Sequence, residues 1–253
     1  MGAIRKMVYS YLTSIFKDKK AAFLALLDPD IQTTSTPKNL TSQVRSICEG
    51  RADAILVGGS IIGTADFDEF VKLVKSASTV PVIIFPGNSM QVSRYADAIL
   101  FLSLLSGRNP DYLIGEHTKA SPIIKKFGLE VLPTGYLLIE SGSTTSVLFM
   151  SHTSPIPRNK IEIVQYHALA AEYLGMKFVY LEAGSGAQNS VPEDMISAVK
   201  DYINIPIIVG GGIRTPEDAR AKVKAGAHAV VIGNALENNP ELTKTFAHAI
   251  HRK

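Results

Sequence analysis

The sequence predicts a single (β/α)8 barrel over residues 1–253, modified by a short or missing third helix. Three observations carry that prediction. Short continuous apolar runs alternate with amphipathic stretches, as buried parallel strands alternate with helices. Eight such runs occur in a chain of 253 residues, a usual length for one barrel. The last third holds three glycine-bearing segments at near-regular spacing, Tyr180-Leu-Glu-Ala-Gly-Ser-Gly186, Gly210-Gly-Gly-Ile-Arg214 and Ile232-Gly-Asn234. Each follows a β-branched or aromatic run and precedes a helix-like stretch. Glycines there leave backbone N–H groups uncovered, which is how a protein holds a phosphate with few side chains.

The elements follow in order. Residues 1–20 read as an opening helix that plugs or flanks the barrel. Strands are expected at 23–27, 54–57, 82–85, 98–102, 130–132 running on toward 139, 178–181, 207–209 and 229–232. A helix at 39–49 ends at Gly50, and one at 67–76 starts after Thr64 and Asp66, either of which suits a cap. A helix at 158–174 is closed by Gly175. Helices at 192–203 and 216–225 each carry proline at the first helical position with acidic residues next, as the helix dipole favours. A helix at 240–251 closes the chain. Between Phe85 and Ala98 lie only 12 residues, including Pro86-Gly-Asn88, and a crossover with its helix needs at least about 10–12 residues. The third helix is therefore short or replaced by a loop, which opens the barrel's side to a long substrate.

Bulk properties exclude several classes. Hydrophobic content of 46% is ample for one large core. The net charge of +3, from 26 basic and 23 acidic residues, is too small to imply nucleic-acid binding, and no basic-aromatic stripe occurs. The single cysteine, Cys48, rules out an internal disulfide and fits a reducing cytoplasm. No apolar run approaches the ~18 residues of a membrane span. The run 21–27 ends in Asp28-Pro-Asp30 and follows a basic stretch at 17–20, so it reads as a buried strand and not a signal-peptide core. Lys6 stands where a myristoylation signal at Gly2 needs Ser or Thr.

In this fold the active site lies at the C-terminal ends of the strands. The first strand ends in Asp28 and Asp30, which suit a hard cation such as Mg²⁺, or simply a capped turn. The second ends in Gly58-Gly-Ser60, a tight turn whose hydroxyl could serve the same cation or a phosphate. On the sixth, Tyr180 and Glu182 alternate onto one side of the strand. A glutamate turned toward the helix layer would be buried without a partner, so Glu182 is expected at the top of the lumen, as a general base or a hydroxyl holder. The turns after strands seven and eight, with Gly210-Gly-Gly212 and Gly233-Asn234, occupy the positions that frequently bind phosphate in barrels. His117, His152 and His167 lack ligand spacing and read as structural or solvent-facing. The segments 103–108 and 136–143 are candidate cavity walls.

Several segments match one family in its order: Leu27-Asp-Pro-Asp30, Val57-Gly-Gly-Ser60, Ile84-Phe-Pro-Gly-Asn88, Pro133-Thr-Gly-Tyr136, Tyr180 to Ala187, Val209 to Arg214 and Ile232-Gly-Asn234. On these the chain resembles the geranylgeranylglyceryl phosphate synthases, a family that includes heptaprenylglyceryl phosphate synthases. The resemblance implies a prenyltransferase that joins sn-glycerol 1-phosphate to a polyprenyl diphosphate through an ether bond. It implies phosphate binding by Tyr180, Leu181, Glu182, Ala183, Gly184, Ser185, Gly186, Gly211, Gly212, Gly233 and Asn234. It also implies Mg²⁺ at Asp28 and Ser60, and a homo-oligomer with brief membrane contact. One departure stands out: many members carry lysine after the Asp-Pro-Asp segment, where this chain has Ile31, so a cation near the diphosphate is either missing or supplied by Lys38 or another residue. The rival readings are another phosphate-binding barrel enzyme, such as a phosphosugar isomerase or lyase, and a non-catalytic binder. An apolar trough separates the first from a prenyltransferase.

Overall fold

A computed structural model describes residues 7–18, 21–30, 36–63, 66–237, 239 and 241–251. Eight parallel strands close into a barrel in sequence order. They are β1 (Ala22–Leu27), β2 (Ala54–Val57), β3 (Val82–Ile84), β4 (Ala98–Leu104), β5 (Glu130–Leu138), β6 (Phe178–Glu182), β7 (Ile207–Gly210) and β8 (Ala229–Ile232). Every expected strand is present: β4 and β6 run further toward the site than expected, β5 runs on as expected to Leu138, and β3 stops one residue short, at Ile84.

Alternation along each strand sorts side chains into two cores. Leu24, Leu56, Ile83, Leu100, Phe178 and Ile208 fill the lumen. Their neighbours Phe23, Ile55, Ile84, Ile99, Val179 and Val209 pack outward against helices. Helix α1 (Val8–Asp18) closes the N-terminal end of the lumen: Val8, Leu12 and Ile15 join the inner core, and Phe16 packs edge-on to Phe178 at 6.4 Å. The first N–H groups of α1 lack intrahelical partners, and the Glu130 carboxylate accepts those of Val8 and of Tyr9, the latter at 3.0 Å. The expected opening helix thus plugs the barrel. Its flanks at 1–6 and 19–20 lie outside the described residues.

Outer helices are α2 (Pro37–Glu49), α3 (Phe67–Ala77), α4 (Glu116–Phe127), α6 (Ile161–Tyr173), α7 (Glu193–Lys200), α8 (Pro216–Lys224) and α10 (Leu242–Ile250), with short α5 (Ser146–Ser151) and α9 (Asn234–Glu237) at the rim. Asp66 caps α3 by accepting the Glu69 N–H at 3.1 Å, while Thr64 and Pro240 lie outside the described residues. Thr215 and Asp218 form a capping box on α8. Helix boundaries are corrected at several ends. α2 starts at Pro37, two residues earlier than expected; Pro192 is the N-cap of α7, not its first residue, and α7 ends at Lys200, short of 203; the long helix starts at Ile161, three residues later than expected.

Residues 85–97 contain no helix, so the third crossover is open as expected. Side chains order it instead. Buried Gln91 accepts the Gly87 N–H at 3.0 Å and donates to Gly59 O at 2.8 Å. Asp97 accepts from Val82 N and Lys75, and Glu116 of α4 accepts the Ser89 N–H at 2.6 Å. The gap beside β3 is bounded by α4, a helix the sequence reading missed.

Candidate active site

A cavity of about 660 Å³ occupies the C-terminal end of the barrel and reaches sideways through the open third crossover. Its two ends differ in chemistry.

On the β6–β8 side, three turns converge. Ser185, Gly186, Gly211, Gly212, Gly233 and Asn234 line this end. Among the described residues, the backbone N–H groups of Ser185, Gly186, Gly211 and Gly212 have no hydrogen-bond partner. Uncommitted donors clustered at one rim form an anion site. Ser185 Oγ donates to Asn234 Oδ1 at 3.2 Å, tying the first turn to the third. Gly211 has φ +84°, and a Cβ there would lie 2.2 Å from Glu182 Oε1 and 2.5 Å from Gly184 N. Only glycine permits β7 to turn this close to β6.

Glu182 stands beside those donors inside the barrel, 5% exposed. Its Oε1 accepts the Gly184 N–H at 2.6 Å. Burial pushes its pKa up to about 7, although the Gly184 N–H and the nearby Tyr180 and Tyr136 hydroxyls favour the charged form. The same burial, with the Glu182 charge, raises both tyrosines well above their usual range. Tyr180 stacks on Phe85 at 5.2 Å, which holds it against the floor of the cavity. Its hydroxyl is fully buried and lies near the carboxylate without reaching hydrogen-bond geometry. A carboxyl group poised near neutrality at a cavity floor suits proton transfer.

The expected residues are not all alike in placement. Tyr180 and Glu182 face the lumen. Leu181 and Ala183 alternate outward into the helix-facing core, and the Ala183 N–H bonds Gly210 O at 3.1 Å, so neither residue offers a group to the cavity. Gly184 does not line it either, and its N–H is taken by Glu182.

Asp28 and Ser60 line the same cavity, at the ends of β1 and β2. Asp28 Oδ1 accepts the Asp30 N–H at 3.0 Å, and Asp30 Oδ2 accepts the Gly63 N–H at 2.8 Å. Gly59 lets Asp28 approach: a Cβ there would meet Asp28 Oδ2 at 2.5 Å. One carboxylate and one hydroxyl are hard oxygen donors, and among the described residues no cluster of three His, Cys, Asp or Glu forms a cage. That donor set fits Mg²⁺, which is typically held by one or two carboxylates plus substrate phosphates.

The other end is apolar. Ile99, Phe101, Leu102, Ala120 and Ile124 form a trough between β4 and α4. His117 belongs to its wall: the ring meets Phe101 edge-on at 4.4 Å, and burial lowers its pKa. His152 is an exposed left-handed helix cap, and His167 bonds Ile163 O at 2.7 Å. Of the expected walls, Leu104 and Tyr136 line the cavity. The α4 wall was missed, although His117, Ala120 and Ile124 are spaced as one helix face and Gly128 ends the helix in the left-handed region. Pro122 inside α4 masks that pattern as a break. Ile31 lies outside the described residues. Exposed Lys38 does not line the cavity, whereas Arg214 does.

The PcrB family matches residues 14–250. The chain is 44% identical over 248 residues to the geranylgeranylglyceryl phosphate synthase of Chitinophaga pinensis, covering 96% of this chain and 97% of that protein. It is 44% identical over 237 residues to the synthase of the same name from Methanosphaera stadtmanae, covering 94% and 95%. In structure it is similar to the (S)-3-O-geranylgeranylglyceryl phosphate synthase of Thermoplasma acidophilum in complex with sn-glycerol-1-phosphate. The TM-score is 0.87 at 32% identity, with 99% of each chain covered.

Proposed function

This chain belongs to the PcrB family, and we propose that it is a prenyltransferase joining sn-glycerol 1-phosphate to a polyprenyl diphosphate of geranylgeranyl type, for phospholipid ether biosynthesis. The observation that carries this reading is one cavity with an amide-lined end and an apolar end, with Glu182 lining it beside the backbone donors. A phosphosugar isomerase or lyase has use for the first end but none for the second.

The phosphate of sn-glycerol 1-phosphate sits on the free amides of the β6 and β7 turns, beside Gly233 and Asn234 of the β8 turn. That remote contact orients the primary hydroxyl toward Glu182. Glu182 takes the hydroxyl proton as the oxygen attacks the allylic carbon of the prenyl donor. The new C–O ether bond forms, the carbon–diphosphate bond breaks, and diphosphate leaves with its electron pair. General-base help of this kind contributes roughly 10²–10⁴-fold. Holding both substrates in one cavity contributes up to ~7–11 kcal/mol. Asp28 and Ser60 are the residues that would hold Mg²⁺, which when bound neutralises diphosphate charge. Along the trough, each buried CH₂ of the tail adds ~0.8 kcal/mol.

Asp28→Asn is expected to raise the Mg²⁺ concentration needed for half-maximal activity at least several-fold, and an unaltered Mg²⁺ titration removes Asp28 from the metal site. The product is a lipid precursor, so we assign brief contact with a bilayer surface. We also assign a cytoplasmic location and a homo-oligomer, the latter testable by light scattering. Incubation with sn-glycerol 1-phosphate and a ladder of prenyl diphosphates tests the main reading. The expected product has the summed mass of both substrates less diphosphate; turnover with no prenyl donor, or none at all, overturns it.

A further inference from the structure

The turn that carries the free amides is held from outside by cations. Beyond Gly186, four carbonyls in the run 187–191 each accept a hydrogen bond from a basic side chain. Arg214 donates through Nη2 to Ala187 O at 2.6 Å and through Nη1 to Gln188 O at 3.1 Å. Arg158 donates to Ser190 O at 2.8 Å and to Glu140 O at 3.1 Å. Lys222, 2% exposed, donates to Val191 O at 2.6 Å and pairs with Glu193. The remaining residue, Asn189, is tied by its own N–H to Ser141 O at 3.0 Å.

Charge-assisted bonds to carbonyls are stronger than neutral ones and draw the negative end of each peptide dipole toward the cation. At the upstream end, Glu182 fixes Gly184 by its N–H. The intervening residues Ser185 and Gly186, whose N–H groups are uncommitted, are therefore anchored on both sides. Arg214 differs from Arg158 and Lys222 in one respect: it alone of the three lines the cavity. It belongs to the β7–α8 turn, so it ties the β6 turn to the β7 turn directly.

We propose that Arg214 is a positioning residue for the anion site, holding the Ala187 and Gln188 carbonyls so that the Ser185 and Gly186 amides stay aimed at the phosphate. This rests on the reading of that end of the cavity as the glycerol phosphate site. The role concerns geometry as well as charge, because two carbonyls are held by one planar fork that lysine does not reproduce.

The test measures calorimetric binding of sn-glycerol 1-phosphate and steady-state KM for both substrates in wild type, Arg214→Met and Arg214→Lys. Arg214→Met is expected to weaken sn-glycerol 1-phosphate binding about tenfold or more, the loss typical of removing charged hydrogen bonds. Its KM rises in step, while KM for the prenyl diphosphate stays within about twofold. Arg214→Lys recovers only part of the loss. Unchanged glycerol phosphate binding overturns the proposal, and so does an equal rise in both KM values. Full recovery by lysine overturns it too, since charge alone would then suffice. If Arg214→Met does not fold, Arg214→Lys carries the test, with several-fold weaker binding expected and wild-type binding contradicting. If wild type itself does not bind sn-glycerol 1-phosphate, the reading of the site has failed. Titration with inorganic phosphate then still compares the variants, and equal affinity overturns the positioning role.

Discussion

The two ends of the cavity are built by different means. The β6–β8 end is backbone: glycine turns, uncommitted N–H groups and loops pinned by Glu182, Arg158, Arg214 and Lys222. The β3–β4 end is side chain: Ile99, Phe101, Leu102, Ala120 and Ile124 around a space that a third helix would otherwise fill. Backbone donors are directional and tolerate little displacement, so the first end recognises a small anion by geometry. Apolar contact is non-directional and scales with area, so the second end grips a tail by length and shape. Damage to either end should therefore reach one substrate and spare the other.

The largest effect is expected at the general base. Glu182→Gln should lower kcat by roughly 10²–10⁴-fold while sn-glycerol 1-phosphate still binds within a few-fold of wild type. Turnover unchanged in this variant removes Glu182 as the base. Next is Gly211→Ala, whose Cβ would collide with Glu182 Oε1 and Gly184 N. Both β6 and β7 turns must shift, so KM for sn-glycerol 1-phosphate should rise by on the order of 10²-fold, with KM for the prenyl donor little changed. At the other end, Phe101→Ala removes one wall of the trough and the ring that faces His117. It should raise the donor KM several-fold, increasingly for longer tails, and leave glycerol phosphate kinetics alone. Equal effects on both substrates from either variant would break the division.

The smallest effect is a titration. Because burial lifts Glu182 to about 7, kcat/KM should climb with pH through that value and level off above it. Stability runs the opposite way. The folded carboxyl keeps its proton to higher pH than the unfolded one, whose pKa is near 4.5. Stability is therefore lost as pH rises from about 4.5 to about 7, by an upper limit of roughly 3 kcal/mol. Glu182→Gln lacks that loss, so thermal melts of the two proteins should diverge across this window in favour of the variant. Parallel melting curves would contradict the buried, proton-retaining state.

The same contrast explains what could be read from the chain alone. The backbone end announces itself: Gly184, Gly186, Gly211 and Gly212 adopt φ values that favour glycine, so the residue type is a direct trace of the geometry. Strands were legible because an apolar run buried on both faces has a plain signature. The trough has no such trace. Phe101, Ala120 and Ile124 are residue types found in any core, and their role depends on what is missing beside them, the third helix. The short crossover at 85–97 showed that an opening existed, but Pro122 hid the helix that bounds it. Outward-facing Leu181 and Ala183 were included with the anion site because a motif is a run of sequence, whereas a strand offers only alternate side chains to its lumen.

A crystal structure of the protein with sn-glycerol 1-phosphate bound tests the central claim most directly. The account predicts phosphate oxygens within hydrogen-bond reach of the Ser185, Gly186, Gly211 and Gly212 backbone amides, with the primary hydroxyl directed at Glu182. A phosphate seated elsewhere in the cavity, or a hydroxyl turned away from Glu182, would contradict it.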